Sequence, residues 1–294
     1  MENQVRIYAT GNSFPKEGSY DLRTLEIFIS NYRVILDRLI TVHLGRRQVP
    51  KDLKRRIAYK VQITPGSIEL VVSFIYEHKE LIAVLAPEGA YGLAEILVRM
   101  LKNAIELRKK ASELIRNNLP VKIHISISNS FNIGSTINNG GVIFDQNSGS
   151  IVIDDPKILW AAQLTRRPVN EIVNQIDGRN VEYVDFNTAT GGIKLNPEDQ
   201  DITGSHKEEL DTNLTIMVRL DVVAFTYHKG AVISDGERYS VQWDENIRTK
   251  IKKFADKEGI LFRVRPIIDR KRLETTAIGF HILDCDDPQE KMFY

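Results

Sequence analysis

The stretch LTIMVRLDVVAFTYHKGAVISDGERYSVQW, residues 214–243, decides the architecture of the C-terminal part of this chain. Leu214, Ile216, Val218, Leu220 and Val222 recur at every second position, and the phase then slips to Val223, Phe225 and Tyr227. A run this long and out of phase with itself needs a bulge or a sharp bend, the device by which a strand turns the corner of a barrel. His228, Lys229 and Gly230 turn the chain into Ala231–Ser234, and Asp235-Gly236 is a two-residue hairpin signal ahead of Tyr239, Val241 and Trp243. Further on, Ile247, Ile251, Phe254 and Ala255 mark a helix that closes at Gly259, and the pattern then predicts strands over Ile260–Ile268 and Leu273–Leu283. Three strands, one helix and two strands is the order of an OB-like or similar small β-barrel.

Upstream, Val181–Phe186 reads as a strand. Asn196–Asp211 reads as a polar, solvated connector carrying Glu198, Asp199, Asp201, Glu208, Glu209 and Asp211. The barrel domain is therefore expected to occupy 181–294. Residues 129–180 begin as an Asn/Gly-rich arm with one short strand, Val142–Phe144, and turn back into Ile151–Ile153. Two short connecting helices are expected to follow: Asp155-Pro156 opens one through Leu164, and Pro168 opens another that Gly178 closes.

Residues 1–128 start with a strand through Val5, Ile7 and Ala9. From Asp21, the positions Leu22, Leu25, Ile29, Tyr32, Leu36, Leu39 and His43 fall at helical spacing, with Gly45 where a helix ends. Ile57–Ile63 and Ile68–Phe74 alternate on either side of Pro65-Gly66-Ser67, which predicts a hairpin. A second long helix spans Leu93 to Ile115, and Val121–Ile127 gives one more strand. The predicted class is α+β, with an N-terminal mixed sheet and two long helices followed by the barrel and its one helix.

With 294 residues the chain exceeds the usual size of one core, and 42% hydrophobic with 27% charged residues is the composition of folded domains. A formal charge of +1 sets up no global field, so any attraction to nucleic acid or anionic lipid has to come from a local patch. Cys285 is the single cysteine, which excludes an internal disulfide and a cysteine-based zinc site and fits a reducing, cytoplasmic setting. Met1, Glu2, Asn3 and Gln4 lead into the first strand without the basic-then-apolar pattern of a signal peptide. Apolar runs such as Leu81–Ala86 are far short of the roughly 20 residues that cross a bilayer, so no membrane partner is expected.

At three places, Pro65-Gly66-Ser67, Leu164-Thr165-Arg166-Arg167-Pro168 and the hairpin from Gly230 to Tyr239 with Asp235-Gly236-Glu237, the chain resembles an uncharacterised prokaryotic two-domain family. In that family an α/β unit with a Gly-Ser turn precedes a small β-rich barrel. The resemblance spans most of the chain and implies no activity. Because members belong to bacterial and mobile-element genomes, it implies a setting in antiviral, phage-related defence or counter-defence.

Catalytic signatures are sparse. His43, His78, His124, His206, His228 and His281 lie far apart, none at the three- or four-residue spacing that puts two ligands on one helical face, so no metal or cofactor is expected. Gly140-Gly141 and Gly191-Gly192 are isolated pairs followed by strand-like residues, and they read as turns rather than phosphate loops. There is no Gly-x-Ser-x-Gly elbow, and Cys285 sits between Asp284 and Asp286-Asp287, whose carboxylates disfavour a thiolate. No catalytic residue is nominated. A metal-dependent nuclease needs converging carboxylates with a lysine near the attacking water, and the nearest approach to that is Asp154, Asp155, Glu182, Asp185 and Lys194.

Binding signals are stronger. Arg46, Arg47, Lys51, Lys54, Arg55 and Arg56 cluster between the first helix and the hairpin, a density suited to phosphate or an acidic partner surface. In the barrel, Phe225, Tyr227, Tyr239 and Trp243 mingle with Lys229, Arg238, Arg263, Arg265, Arg270, Lys271 and Arg272. Aromatics among cations are what single strands need for stacking and backbone contact, although strand alternation sends several of these rings inward. The expectation is a non-enzymatic macromolecular interaction protein, a homo-oligomer that also binds another protein, with the 129–149 arm packing onto a second subunit. The alternative is a nucleic-acid or nucleotide sensor acting through the barrel, and the second alternative is a metal-dependent nuclease.

Overall fold

In the computed structural model, which describes residues 4–15, 20–64, 66–74, 92–125, 142–145, 150–255, 257–274 and 276–286, the first alternating run becomes β1 (Gln4–Thr10). β1 is the middle strand of a five-stranded antiparallel sheet. On one side lie β3 (Ser67–Phe74) and then β2 (Ile57–Thr64), the expected hairpin. On the other lie β7 (Tyr183–Thr188) and then β8 (Gly191–Leu195). Period-two alternation gathers Val5, Ile7, Ala9, Ile68, Leu70, Val72, Val184, Phe186 and Leu195 on one buried face. Helices α1 (Leu22–His43), α3 (Leu93–Arg116) and α4 (Pro156–Val173) pack on one another, and α3 also lies against β1, β7 and β8; α2 is the short Lys51–Arg56. Mixed strand directions occur in a second, three-stranded sheet, where β6 (Ser150–Ile153) pairs in parallel with β4 (Lys122–Ile125) and antiparallel with β5 (Val142–Asp145).

Local chemistry explains the helix ends. Asp21 accepts the backbone N–H groups of Arg23 and Thr24, both at 3.2 Å, and so caps α1. At the other end Gly45, at φ +61°, donates to Val42 O at 3.1 Å while Arg46 donates to Thr41 O at 3.0 Å, the paired closure of a Schellman motif. The buried stripe of α1 runs through Phe28, Tyr32, Ile35, Leu36, Leu39 and Val42, whereas Leu22 and Ile29 of the expected stripe stay exposed. Aromatic packing sets this rotation: Phe28 stacks on Tyr32 at 5.6 Å, and Tyr32 meets Phe186 edge-on at 5.4 Å.

Three expectations change between residues 155 and 211. The two short helices of 155–178 are one: Asp155 caps α4 by accepting Lys157 N–H at 2.8 Å, and Pro168 lies inside the helix. A proline there has no N–H for the carbonyl of Leu164, and Arg38 of α1 donates its Nη1 to that oxygen instead. The boundary expected at 181 falls at Gly204/Ser205, because β7 pairs with β1, Phe186 opposite Ile7, and shares its buried face; the arm-and-helices segment 129–180 likewise contributes β5, β6 and α4 to the first unit. Residues 129–141 and 146–149 of the expected arm lie outside the described residues. The acid-rich connector packs rather than floats: Pro197–Ile202 forms a short 3₁₀ turn against α3, with Asp199 only 8% exposed and paired to Lys109 Nζ at 2.5 Å.

The second unit, Ser205–Tyr294, contains a closed five-stranded barrel. β10 (Leu214–Ala224) pairs through its first half with β13 (Ile260–Asp269) and through its second with β11 (Lys229–Ser234). Its register shifts between Leu220 and Val222, where the hydrophobic phase slips. β11 turns into β12 (Glu237–Trp243) through Asp235 and Gly236 at φ +51° and +81°, the double positive φ of a type I′ turn. β12 runs parallel to β14 (Gly279–Asp286), and β14 antiparallel to β13, which completes the cycle β10-β11-β12-β14-β13-β10. That cycle, with α5 (Arg248–Lys253) between its third and fourth strands, is OB connectivity. Val218, Leu220, Val232, Trp243, Phe262 and Phe280 fill the interior together with Ile251 and Phe254. β9 (Lys207–Glu209) extends the edge of β13. The last strand begins at Gly279 and not at Leu273, because Arg270–Arg272 form a 3₁₀ turn and Leu273 takes a left-handed φ of +58°. Among the described residues no helix is long and apolar enough to cross a membrane.

Candidate functional site

Alternation sorts the side chains of the barrel into a filling and a surface. On β12, Tyr239, Val241 and Trp243 turn inward, which leaves Ser240 and Gln242 facing out. Tyr239 packs on Phe280 with ring centres 5.0 Å apart, and Phe225 meets Trp243 edge-on at 6.3 Å. Three of the four barrel aromatics are thereby committed to packing. Tyr227 is the exception: it stands in the turn between β10 and β11 and is 75% exposed.

A groove of about 420 Å³ crosses this surface. Lys229 and Gly230 of β11 and Ser240 and Gln242 of β12 line it, with Lys207 and Glu209 of β9, Ile267 of β13 and Ile278 completing the wall. Lys229 directly follows the 225–228 turn, and Ile278 closes the loop that leads into β14. In OB barrels the second and third strands, framed by these two connections, form the ligand-binding face. Gly230 keeps the wall low, since a Cβ there would stand 2.3 Å from the backbone oxygen of Val222.

One outward row can be followed through the register: Lys229 lies opposite Gln242, Gln242 beside His281, and His281 opposite Arg265. His281 Nδ1 is 2.7 Å from Glu209 Oε2, and because a carboxylate only accepts, Nδ1 carries the proton. Arg265 reaches Glu209 at 3.4 Å, Asp211 at 3.3 Å and Asn213 at 3.4 Å. Glu209 is therefore held by two donors, and the edge of the groove is ordered before any ligand arrives.

Many of the expected barrel cations are already matched. Arg238 Nε binds Asp221 at 2.7 Å. Arg270 forks onto Glu208 at 2.5 and 2.8 Å, which raises the guanidinium pKa and lowers that of the carboxyl through the hydrogen bond. Arg272 Nε lies 3.3 Å from the buried Asp269, whose other oxygen accepts the backbone N–H groups of Lys271 at 3.2 Å and His206 at 3.0 Å. These groups fasten the 270–278 loop and β9. Of the expected residues, Lys229 is the one that lines the groove, and Tyr227 stands two residues before it.

The other basic cluster belongs to the first unit: Arg46 and Arg47 follow the end of α1, and Lys51, Lys54 and Arg55 lie on α2, all exposed. Arg56 ends α2, and its side chain is not among those described. Two acids and the lysine of the nuclease alternative have other engagements. Asp155 caps α4, Asp185 accepts Asn187 Nδ2 at 2.6 Å, and Lys194 Nζ sits 3.5 Å above the ring of Tyr183. Among the described residues no three His, Cys, Asp or Glu side chains converge to hold a metal. Burial, followed by Asp284, pushes the Cys285 thiol up to about 11, so it stays protonated at neutral pH.

Sequence pattern does not nominate Lys207, Ser240 or Gln242, and it presents His281 only as an isolated histidine. Ser240 and Gln242 were findable, because fixing Tyr239, Val241 and Trp243 as inward assigns their neighbours to the outside. Lys207 and His281 reach the groove region through β9, a three-residue strand too short to announce itself. Comparison of the chain with protein-family models, with curated proteins and with solved structures returned no match.

Proposed function

We propose that this is a binding protein whose C-terminal barrel holds an extended anionic chain, single-stranded nucleic acid, along the groove over β11 and β12. The observation that carries the reading is the position of that groove: it lies on the OB ligand face, with Lys207 and Lys229 in its wall and an exposed Tyr227 beside its end. A lysine pair gives phosphates a partner, and one exposed ring gives a base something to stack on. The prokaryotic family that the chain resembles would place such binding in defence or counter-defence, within a reducing compartment where a lone cysteine is ordinary.

Fluorescence anisotropy of a labelled oligothymidylate at low salt is the test. Binding is expected, and Lys229→Ala, which takes one cation away from the phosphates, should make the slope of log affinity against log salt shallower by roughly 0.7. Tyr227→Ala should weaken binding by the equivalent of about 1–3 kcal/mol for one stacked base. Arg238→Ala should change little, since Asp221 already occupies that guanidinium. A wild-type protein that leaves the oligonucleotide free at low salt ends this reading.

Self-association is a second reading, favoured by apolar exposure on one strand: Leu214, Met217 and Val222 of β10 are 41%, 61% and 49% exposed. Apolar groups left in water on a barrel wall gain free energy when a second copy covers them. Sedimentation velocity of the full chain should then show an oligomer that Met217→Glu shifts toward monomer; a wild-type monomer across the accessible concentration range excludes it.

A further inference from the structure

The wall of the barrel groove holds a group that phosphates do not call for. Lys207 and Lys229 attract an anionic chain, whereas Glu209, which lines the same groove, carries the opposite charge and repels a phosphate brought close to it. Its position is fixed by the sheet and by two donors. In the pairing of β9 with β13 it lies directly opposite Ile267, so the two side chains stand on one face. Oε2 accepts from His281 Nδ1 at 2.7 Å and Oε1 from Arg265 Nη1 at 3.4 Å. Both donors hold the carboxylate in one orientation, and each oxygen has a second lone pair to offer. With 30% of its side chain exposed, Glu209 is within reach of a ligand in the groove.

Next to this acceptor lies an apolar bed. Ile267 and Ile278 are half-buried residues of the same wall, and Ile278 N–H donates to Ile267 O at 2.8 Å, which keeps them side by side. Apolar side chains of this kind cover the flat face of an unstacked base, whose Watson–Crick edge is then read by polar groups at the rim. A carboxylate reads donors only. Along that edge guanine presents two adjacent donors, N1–H and the N2 amino group. Adenine and cytosine each present one amino group beside a bare ring nitrogen, whose lone pair would face the carboxylate, and thymine and uracil present a single N–H between two carbonyl oxygens. Guanine alone meets both oxygens of Glu209 without setting one acceptor against another.

We propose that Glu209 makes the groove selective for guanine. The base rests on Ile267 and Ile278 and donates from N1 and N2 to the two carboxylate oxygens, while Lys207 and Lys229 meet the flanking phosphates. This rests on the single-strand reading of the groove and adds to it the base that the strand must carry.

The experiment uses the full chain and compares, by anisotropy at low salt, a labelled oligothymidylate with the same strand carrying one central guanine, adenine or hypoxanthine, the last being guanine without its N2 amino group. The wild type is expected to bind the guanine strand roughly tenfold or more tightly than the all-thymine strand, the discrimination usual for a bidentate pair, with hypoxanthine well below guanine. Glu209→Gln turns one acceptor oxygen into a donor amide, which matches the amino group of adenine and a ring nitrogen beside it, so the preference should pass from guanine to adenine. A glutamate that only tied β9 to His281 and Arg265 would weaken every strand alike and leave their order unchanged. Guanine and thymine strands bound equally by the wild type overturn the proposal and leave the single-strand reading standing, and so does a Glu209→Gln protein that keeps the wild-type order. A wild type that binds none of the strands ends the underlying reading and this proposal with it. Should Glu209→Gln fail to fold, the wild-type comparison of guanine with hypoxanthine decides, and equal affinity for the two overturns the proposal.

Discussion

Replacing Gly279 by valine should open the barrel between β12 and β14. These two strands form its one parallel pair, with Ser240 opposite Gly279, and the cycle of strands closes through that pairing. A Cβ at position 279 would stand 2.4 Å from Ser240 Oγ and 2.6 Å from the Ser240 carbonyl oxygen. The hydroxyl could rotate away from its bond to Ile278 O, but the carbonyl belongs to the backbone and cannot yield without moving β12. Space, not backbone freedom, is what glycine supplies here. Overpacking of this kind costs roughly 3 kcal/mol at the upper end of its usual range, so the barrel should lose roughly 10–20 °C of Tm. Gly279→Ala should fall between valine and wild type. Hydrogen exchange measured strand by strand checks it: protection should drop in β12 and β14 and stay unchanged in β1 and β7. Unchanged protection in β12 would mean that the close approach at Ser240 is not a constraint.

The second large effect is expected at Arg38. Pro168 removes the N–H that the Leu164 carbonyl would accept within α4, and Arg38 Nη1 replaces it from α1. Burial, and then the like charge of Arg167, lower the Arg38 pKa, so the bond is made against an electrostatic cost. Arg38→Met keeps the aliphatic stem and strands a part-buried carbonyl, which should cost about 1–3 kcal/mol. In a Pro168→Ala background the helix supplies its own N–H, and the same substitution should cost less by about 1 kcal/mol or more. Urea unfolding of the four proteins closes the double-mutant cycle. Equal costs of Arg38→Met in both backgrounds would show that the arginine serves something other than the orphaned oxygen.

The acid-rich connector shows where local reading stops. Glu198, Asp199 and Asp201 look solvated in isolation, and a run of acids usually is. Ile202, almost fully buried, anchors the segment, while Lys109, Ser112 and Arg116 of α3 supply donors to its side chains and carbonyls. Those donors sit 85 or more residues earlier in the chain, at positions that give no local hint of a shared contact. Similarly, the cations expected to bind phosphate around the 270–278 loop were visible, yet their carboxylate partners were not. An inventory of Arg270, Lys271 and Arg272 counts charge; only the fold shows that Glu208 and Asp269 have already used much of it.

The amino-acid sequence alone determined the barrel. Its signals act over a few residues: the phase slip of β10, the Asp235-Gly236 turn and the element order around α5. The same holds for the caps at Asp21, Gly45 and Asp155, because a cap is a contract between neighbours. Tertiary structure decided the rest: that β7 joins β1, that Pro168 survives inside α4, and that Lys229 lines a groove while Arg238 does not. Each of those outcomes depends on which distant group arrives with a free donor, a free acceptor or an unburied face, and hydrophobic periodicity carries no record of that.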